Sequence, residues 1–353
     1  MAVICRALAE ETEKEGVFRI AAHPGNWNYL IRSITEAFIR LCKFLGVSIG
    51  HNYIWRINVR RKATELIKKR RPDWIITTFP TLSSLEVGLY LNKRFHIPLI
   101  SDFRDGLLFE PAGHSVRKRK ERRVEREVAS QSSFVVSVDD RISGHMDKSY
   151  PGVTTRTISN GYWGQSRSKV AGSPSPFEAD VFNLVYTGSL FTGVPVEALV
   201  GALSRSYDRP ICFHFYGQDA ERAGLHFLHL EKLGILTNHG LVPRPEALVA
   251  QYHADLLVAG FAPSREGVLS GKLPEYFAAG RPILAYGCPP GTLARKEIER
   301  LGVGMAVEND QEEIAQAISR FIADSPVNRK DPPPEYSWDS LGQKWLELLS
   351  TPG

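Results

Sequence analysis

The residues best placed to do chemistry lie in one stretch, Ser264 to Pro282, which reads SREGVLSGKLPEYFAAGRP. Ser270, Gly271 and Lys272 make a short turn, and Leu273 to Ala279 behind them has the character of a helix closed by Gly280. Ser270 can cap that helix, and Pro274 falls in its first turn, where a missing N–H costs no helical bond. Gly280 suits the left-handed residue that follows a helix. Free N–H groups at Gly271 to Leu273, the helix dipole and the Lys272 ammonium together make an anion site. Arg265 stands just before the turn and can add a second cation. Glu275 lies about one turn along the same helix. A phosphate at the helix end and a carboxylate one turn later suit a nucleotide, with the diphosphate on the N-terminus and the ribose hydroxyls on Glu275. Ser-Gly-Lys before a helix is equally a common capping sequence that binds nothing.

Such residues need a rigid frame, and the pattern around them supplies one. In the first half, strands are expected at Val17 to Ala22, Trp74 to Thr78, Pro98 to Ser101, Phe134 to Val138 and Thr155 to Ile158. Residues before Val17 read as a short helix. Further helices are expected at Ile31 to Leu45, Tyr53 to Arg70, Leu82 to Phe95, Val116 to Gln131 and Asp139 to Lys148, with apolar residues at helical spacing. Tyr162 to Asp180 breaks the alternation with Ser, Gly, Pro and Lys, and reads as a linker. A second series follows: strands at Phe182 to Tyr186, Cys212 to Tyr216, Ile235 to His239 and Asp255 to Ala259, separated by helices at Val196 to Ser204, Glu221 to Lys232 and Glu246 to Tyr252. After the site stretch come the strand Ile283 to Tyr286, a proline-rich crossing at Pro332 to Pro334 and a last helix, Ser340 to Leu349.

Alternating strands and helices predict an α/β chain with two doubly wound parallel sheets. The expected boundaries are an N-terminal domain at 1–165, a linker at 166–180, a C-terminal domain at 181–330 and a crossing segment with its helix at 331–353. Two Rossmann-like domains joined in this way are expected to face each other across a cleft, a common place for a ligand. Ligands of such sheets bind beyond the carboxyl ends of the strands, which puts Thr78 to Pro80, Asp102 to Asp105 and Asn160-Gly161 on the rim of the first domain.

Composition agrees with a two-domain globular chain. The 353 residues are 43% hydrophobic and 24% charged, and no apolar run approaches the ~18 residues of a transmembrane helix. The opening MAVICRALAEETEKEG turns acidic where a signal peptide needs an apolar core, so a cytoplasmic location is expected. Cys5, Cys42, Cys212 and Cys288 are scattered, which argues against a disulfide framework or structural zinc. The net charge of +5 is uneven: Arg117 to Arg126, RKRKERRVER, holds seven basic and two acidic residues. Such a run could meet anionic lipid headgroups on the inner face of a membrane or an anionic acceptor. It could equally be a solvated helix face, with Glu121, Glu125 and Glu127 in i,i+4 pairs. Without interleaved aromatic residues it does not suit single-stranded nucleic acid.

The site stretch resembles the donor-binding segment of glycosyltransferase family 4, retaining enzymes of the GT-B architecture. Glu275 to Pro282, EYFAAGRP, is similar to the second half of the family's paired-glutamate motif. Glu266 resembles the first glutamate, with one residue more between the two than the family has. Leu184 to Ser189, LVYTGS, resembles the first strand of the family's C-terminal domain and its phosphate-facing glycine loop. Gly240-Leu241-Val242-Pro243 resembles the segment whose backbone lies against the nucleobase. Asp102-Phe103-Arg104-Asp105 resembles a D-x-R-D subgroup.

The resemblance implies a hexosyltransferase that moves a sugar from a nucleotide-sugar donor to a glycan or lipid-linked acceptor, without a metal or other cofactor. The donor would be held by Gly188, Ser189, Gly217, Val242, Pro243, Arg265, Ser270, Gly271, Lys272 and Glu275. The reaction and its acceptor would be served by Asp102, Arg104, Asp105 and Glu266. The product would be a surface polysaccharide or glycoconjugate. Three departures stand out. Ser189 to Gly193, SLFTG, lacks the basic residue that family members place after the first glycine, so Lys272 and Arg265 would have to neutralise the diphosphate. No catalytic histidine is evident, His23 and His114 being the candidates. Nothing before Val17 reads as the family's opening strand and glycine-rich loop, so the first βα unit is expected to be missing or divergent. A non-catalytic protein of the same fold and a nucleotide-sugar epimerase are the competing readings.

Overall fold

The computed structural model describes residues 51–109, 115–190, 193–218, 223–262, 269, 271–325 and 329–351, together with the backbone of three strands before them. At 51–53, 115–118 and 165–166 the backbone alone is described. Its contacts divide the chain into one unit of Met1–Thr157 with Thr351–Gly353, and a second of Ile158–Ser350.

The first unit opens with strands β1 (Val3–Ala7), β2 (Thr12–Lys14) and β3 (Val17–Ala21) in the order β1-β3-β2. The expected opening helix is thus replaced by a strand, whose residues VICRA begin with two β-branched side chains suited to a pleated surface. β1 and β3 are parallel, while β2 runs antiparallel to β3. Only two residues separate β2 from β3, too few for the crossover that a parallel pair requires. The helix expected at Ile31 to Leu45, and His23 with it, lie outside the described residues.

The main sheet of this unit is parallel throughout. Strands β4 (Ile75–Phe79), β5 (Leu99–Phe103), β6 (Phe134–Ser137) and β7 (Thr155–Thr157) stand side by side in chain order. Helices α1 (His51–Lys69), α2 (Leu82–Phe95), α3 (Ser115–Gln131) and α4 (Asp140–Ser149) complete the unit. All five positions of β5 are buried, as expected for a central strand covered on both faces. Asp102 and Phe103 belong to that strand, paired with Thr78 and Phe79, so the D-x-R-D run begins inside the sheet rather than after it. Asp139 caps α4, its side chain accepting from the Arg141 N–H at 2.7 Å.

Of the two readings of the basic run, the solvated face with all three acids in i,i+4 pairs is not the one seen. Glu121 and Glu125 point inward and are buried, leaving Glu127 to pair with Arg123 at 3.6 Å. Glu125 accepts from the Leu108 N–H at 3.1 Å, from His145 Nε2 at 2.9 Å and from the Tyr150 hydroxyl at 3.1 Å. A buried carboxylate needs such partners, and these come from the loop before α3 and from the α4 region. The outward face of the helix is left basic, with Arg119, Lys120, Arg122, Arg123 and Arg126 exposed.

In the second unit, strands β8 (Phe182–Thr187), β9 (Ile211–Tyr216), β10 (Leu236–Gly240), β11 (Leu256–Gly260), β12 (Ile283–Tyr286) and β13 (Gly304–Ala306) form one parallel sheet. The strand order is β10-β9-β8-β11-β12-β13. The chain therefore builds outward in one direction from β8, then returns to build in the other from β11. In open parallel sheets, such a reversal of strand order is where ligands bind, beyond the carboxyl ends of the strands.

The stretch expected as a linker begins with helix α5 (Gln165–Val170), whose Val170 is buried in this unit. The later helices are α6 (Glu197–Leu203), α7 (Leu225–Lys232), α8 (Arg244–His253), α9 (Lys272–Ala279), α10 (Leu293–Leu301), α11 (Gln311–Ala323) and α12 (Trp338–Ser350). Sequence reading missed α10, β13 and α11. The start of α11 carries a readable signal: Asp310 accepts from the Glu313 N–H at 2.9 Å, an Asp-x-x-Glu capping arrangement. The last helix is tied to the start of the unit, Tyr162 N–H donating to the Tyr336 carbonyl at 2.9 Å and Trp338 N–H to the Tyr162 carbonyl at 2.8 Å.

Candidate functional site

The loop leaving β8 turns sharply at Gly188, where φ is +103°, a conformation that side chains other than glycine rarely adopt. Its N–H donates to the Tyr216 carbonyl at 2.8 Å, drawing the end of β8 against the end of β9. Gly217 follows, buried, and a Cβ there would lie 2.0 Å from the Gly188 carbonyl oxygen. Two glycines expected from sequence to serve one site are thus brought into backbone contact.

Helix α9 carries the other half of the site. Leu273, Tyr276 and Phe277 are buried against the sheet, and Gly280 ends the helix at φ 69°, as expected. The cap position falls on Gly271, without a side-chain cap. Ser270, Arg265 and Glu266 lie outside the described residues, as does His114. Tyr276 locks the helix to the sheet: its hydroxyl accepts from the Thr187 N–H at 2.9 Å and donates to the Val258 carbonyl at 3.2 Å. That bond fixes α9 to the residue just before Gly188.

Lys272, the first residue of α9, reaches back over the β8 loop. Its ammonium stands 4.0 Å from where a Cβ of Gly188 would be. It donates to the Tyr186 hydroxyl at 2.7 Å, and the phenol in turn donates to the Ser189 carbonyl at 3.1 Å. Among the described residues no carboxylate pairs with it. Burial therefore pushes the Lys272 ammonium down to about 7. Tyr186 is 1% exposed, in a fully buried strand, yet its hydroxyl is the polar partner of the site's cation.

One turn on, Glu275 is half-buried, and Arg244 closes on it, Nη2 to Oε1 at 2.7 Å. Arg244 directly follows Val242 and Pro243, so this pair ties the loop after β10 to α9. Val242 is half-buried and Pro243 exposed. Gly271 is exposed, with the Asn160 amide 3.9 Å from its would-be Cβ. The arrangement can hold an anion over Gly188 under Lys272, and offers a carboxylate one turn away. Arg244 was missed by sequence reasoning; its place beside Pro243 was the available signal.

No family model and no curated relative matches the sequence. Solved structures do. Sucrose-phosphate synthase from Thermosynechococcus elongatus is similar with a TM-score of 0.69 at 17% identity, over 98% of this chain and 88% of that one. HepE from Anabaena, in complex with UDP-glucose, gives a TM-score of 0.62 at 17% identity, over 83% of this chain and 82% of that one. UDP-GlcNAc 2-epimerase from Methanocaldococcus jannaschii, in complex with UDP-GlcNAc and UDP, gives 0.51 at 14%, over 86% and 82%. The fold is GT-B. At these identities the likeness is one of fold.

Within this GT-B fold the D-x-R-D residues belong to the first unit. Arg104 Nε donates to Asp102 Oδ2 at 2.8 Å, and the Thr78 hydroxyl lies 3.4 Å from the same oxygen. Asp102 is buried, and among the described residues its Oδ1 has no hydrogen-bond partner. Burial pushes the carboxyl above its ordinary range, with Arg104 opposing. Arg104 is half-buried and so is Asp105. The run therefore combines a structural ion pair with one buried carboxylate oxygen that has no hydrogen-bond partner among the described residues, at the end of the central strand.

Proposed function

We propose that the chain is a glycosyltransferase that takes its sugar from a nucleoside-diphosphate donor. The observation that carries this reading is Lys272: a half-buried lysine whose ammonium, with no carboxylate partner among the described residues, is held over a glycine turn at the reversal of a parallel sheet. A diphosphate is the group that such a cation and turn complement. Glu275 would take the ribose hydroxyls, with Val242 and Pro243 against the base. The glycosyltransferases among its fold neighbours support the same reading, HepE having been captured with UDP-glucose.

In the transfer itself, charge develops on the leaving diphosphate, and Lys272 stabilises it there, with Arg265 as a second cation. Transfer with retention of configuration, to a glycan or lipid-linked acceptor in surface polysaccharide or glycoconjugate synthesis, is the fuller form of the proposal. Asp102 and Arg104, paired with each other, are assigned to acceptor or sugar contacts, the role that the family resemblance implies. Glu266 and Asp105 keep the roles that the family resemblance implies. No step in this scheme calls on a metal. The exposed basic face of α3 would meet an anionic membrane surface. An epimerase is the second reading, because one shares the fold.

Thermal shift against UDP-, GDP-, ADP- and dTDP-sugars, repeated with Lys272→Ala, tests the donor site. The expected outcome is stabilisation by one nucleotide class that the variant loses, since a ligand of the native state raises apparent stability. No shift from a folded protein would favour a non-catalytic role. Turnover of a donor without any added acceptor would favour epimerisation.

A further inference from the structure

The proposed donor site depends on where the Lys272 ammonium points, and nothing in its own helix determines that. The nearest acid on α9, Glu275, is engaged by Arg244. What faces the ammonium is Tyr186, which reaches it from β8 by two routes. The phenol oxygen accepts at 2.7 Å, and the ammonium lies 4.0 Å from the ring centroid. The proton inventory of that hydroxyl is fully assigned. Its one hydrogen goes to the Ser189 carbonyl at 3.1 Å, so toward Lys272 it can only accept. Tyr186 therefore ties the cation and the turn together through a single oxygen.

From this geometry we infer that Tyr186 is a positioning residue for donor binding, its hydroxyl holding the Lys272 ammonium over the Gly188-Ser189 turn. The inference rests on the donor reading above. It also explains how this chain manages without a basic residue in the β8 loop. The cation arrives instead from α9, and β8 supplies the group that aims it.

Two consequences separate positioning from simple packing. An ammonium has three N–H donors, and Tyr186 occupies one, leaving the others for phosphate oxygens. The phenol oxygen also favours the charged form of a lysine that burial makes easy to neutralise. Tyr286 from β12 and Tyr276 from α9 are the other titratable groups beside Tyr186. Both are held as neutral phenols by burial, the Tyr276 hydroxyl pushed up to about 12, so neither carries charge near neutral pH. The charge of Lys272 is the variable.

The test is the pH dependence of nucleotide binding, measured by titration calorimetry with UDP, GDP, ADP and dTDP on the whole protein. Wild type is expected to bind at least one of them, with affinity falling about tenfold per pH unit above pH ~7 as the competent, charged fraction shrinks. Tyr186→Phe removes one oxygen and keeps the ring. It is expected to move the alkaline fall downward by about one pH unit, because a hydrogen bond to a charged group is lost. The affinity deficit would then be about tenfold near pH 8 and shrink to about threefold near pH 6.5. Lys272→Arg, whose cation does not titrate in this range, is expected to flatten the profile with or without Tyr186. Binding in wild type with the same profile in Tyr186→Phe would overturn the inference and leave the donor site standing. Binding of none of the four nucleotides would overturn both.

Discussion

Glu275 and Arg244 form an exposed pair, and exposed pairs hold little folding energy, at most about 1 kcal/mol. Their value lies in what Glu275 can accept. With a ribose bound, its carboxylate would take hydroxyl donors, and Arg244 would hold it in place. Glu275→Ala is therefore expected to leave the melting temperature nearly unchanged and to weaken UDP binding about tenfold or more. It should make no difference to 2′,3′-dideoxy-UDP, which has no hydroxyls to donate. Calorimetric titration of both ligands checks this, and an equal loss with both would remove Glu275 from the ribose site. The glycine contact nearby predicts the opposite pattern. A Cβ on Gly217 would meet backbone rather than a movable side-chain end, so Gly217→Ala must displace the Gly188 turn. Urea unfolding should show a loss of about 2 kcal/mol or more, with nucleotide binding gone. Gly172→Ala has open space around it and serves as the control, with no loss expected.

Elements whose pattern is local were legible in the sequence, and those decided by distant partners were not. The helix Leu82–Phe95 matches its expected ends residue for residue, because the prolines at 80 and 98 and its apolar spacing bound it locally. Lys272, Glu275 and Gly280 could be placed for the same reason. Tyr186 reads as core because it sits in a buried strand, and its polar partner comes from 86 residues further along. The acids of α3 misled in the same way, since the groups that bury Glu125 come from the loop before the helix and from α4. Strand β9 holds a comparable case with a measurable consequence. Asn183 spends its amide hydrogens on the Glu178 and Val181 carbonyls and on Asp255, so its Oδ1 accepts from His214 Nε2 at 3.1 Å. His214 Nδ1 then accepts from His239 Nε2, also at 3.1 Å.

This arrangement keeps His214 neutral. Burial, with the neighbouring imidazole second, pushes it from the ordinary 6.5 down to about 4. The unfolded chain takes up a proton near pH 6.5 that the folded one refuses until about pH 4, so stability falls as pH falls through that window and is intact above it. The full effect is about 3 kcal/mol. Urea denaturation across the window should show wild type losing about that much more than His214→Asn. Parallel curves for the two proteins would exclude His214 as the source.

At the scale of the whole molecule, a net charge of +5 says little until the basic residues are located. On α3 they are sorted by the fold. Glu121 and Glu125 turn inward, and Arg119, Arg122 and Arg126 share one outward stripe at helical spacing. A stripe cleared of its acids in this way is an electrostatic surface rather than a solvated face of mixed sign. If it meets an anionic bilayer, each arginine contributes about 1 kcal/mol near the headgroups. Replacing all three by alanine should then lower affinity for phosphatidylglycerol vesicles about a hundredfold at low salt. Wild-type binding itself should collapse as added salt screens the surface. Vesicle cosedimentation over a salt series measures both. Nucleotide binding, which depends on residues of the other unit, should be unchanged in the same triple variant. Vesicle binding that survives high salt, or that the triple variant retains, would mean that α3 is not the membrane-facing surface.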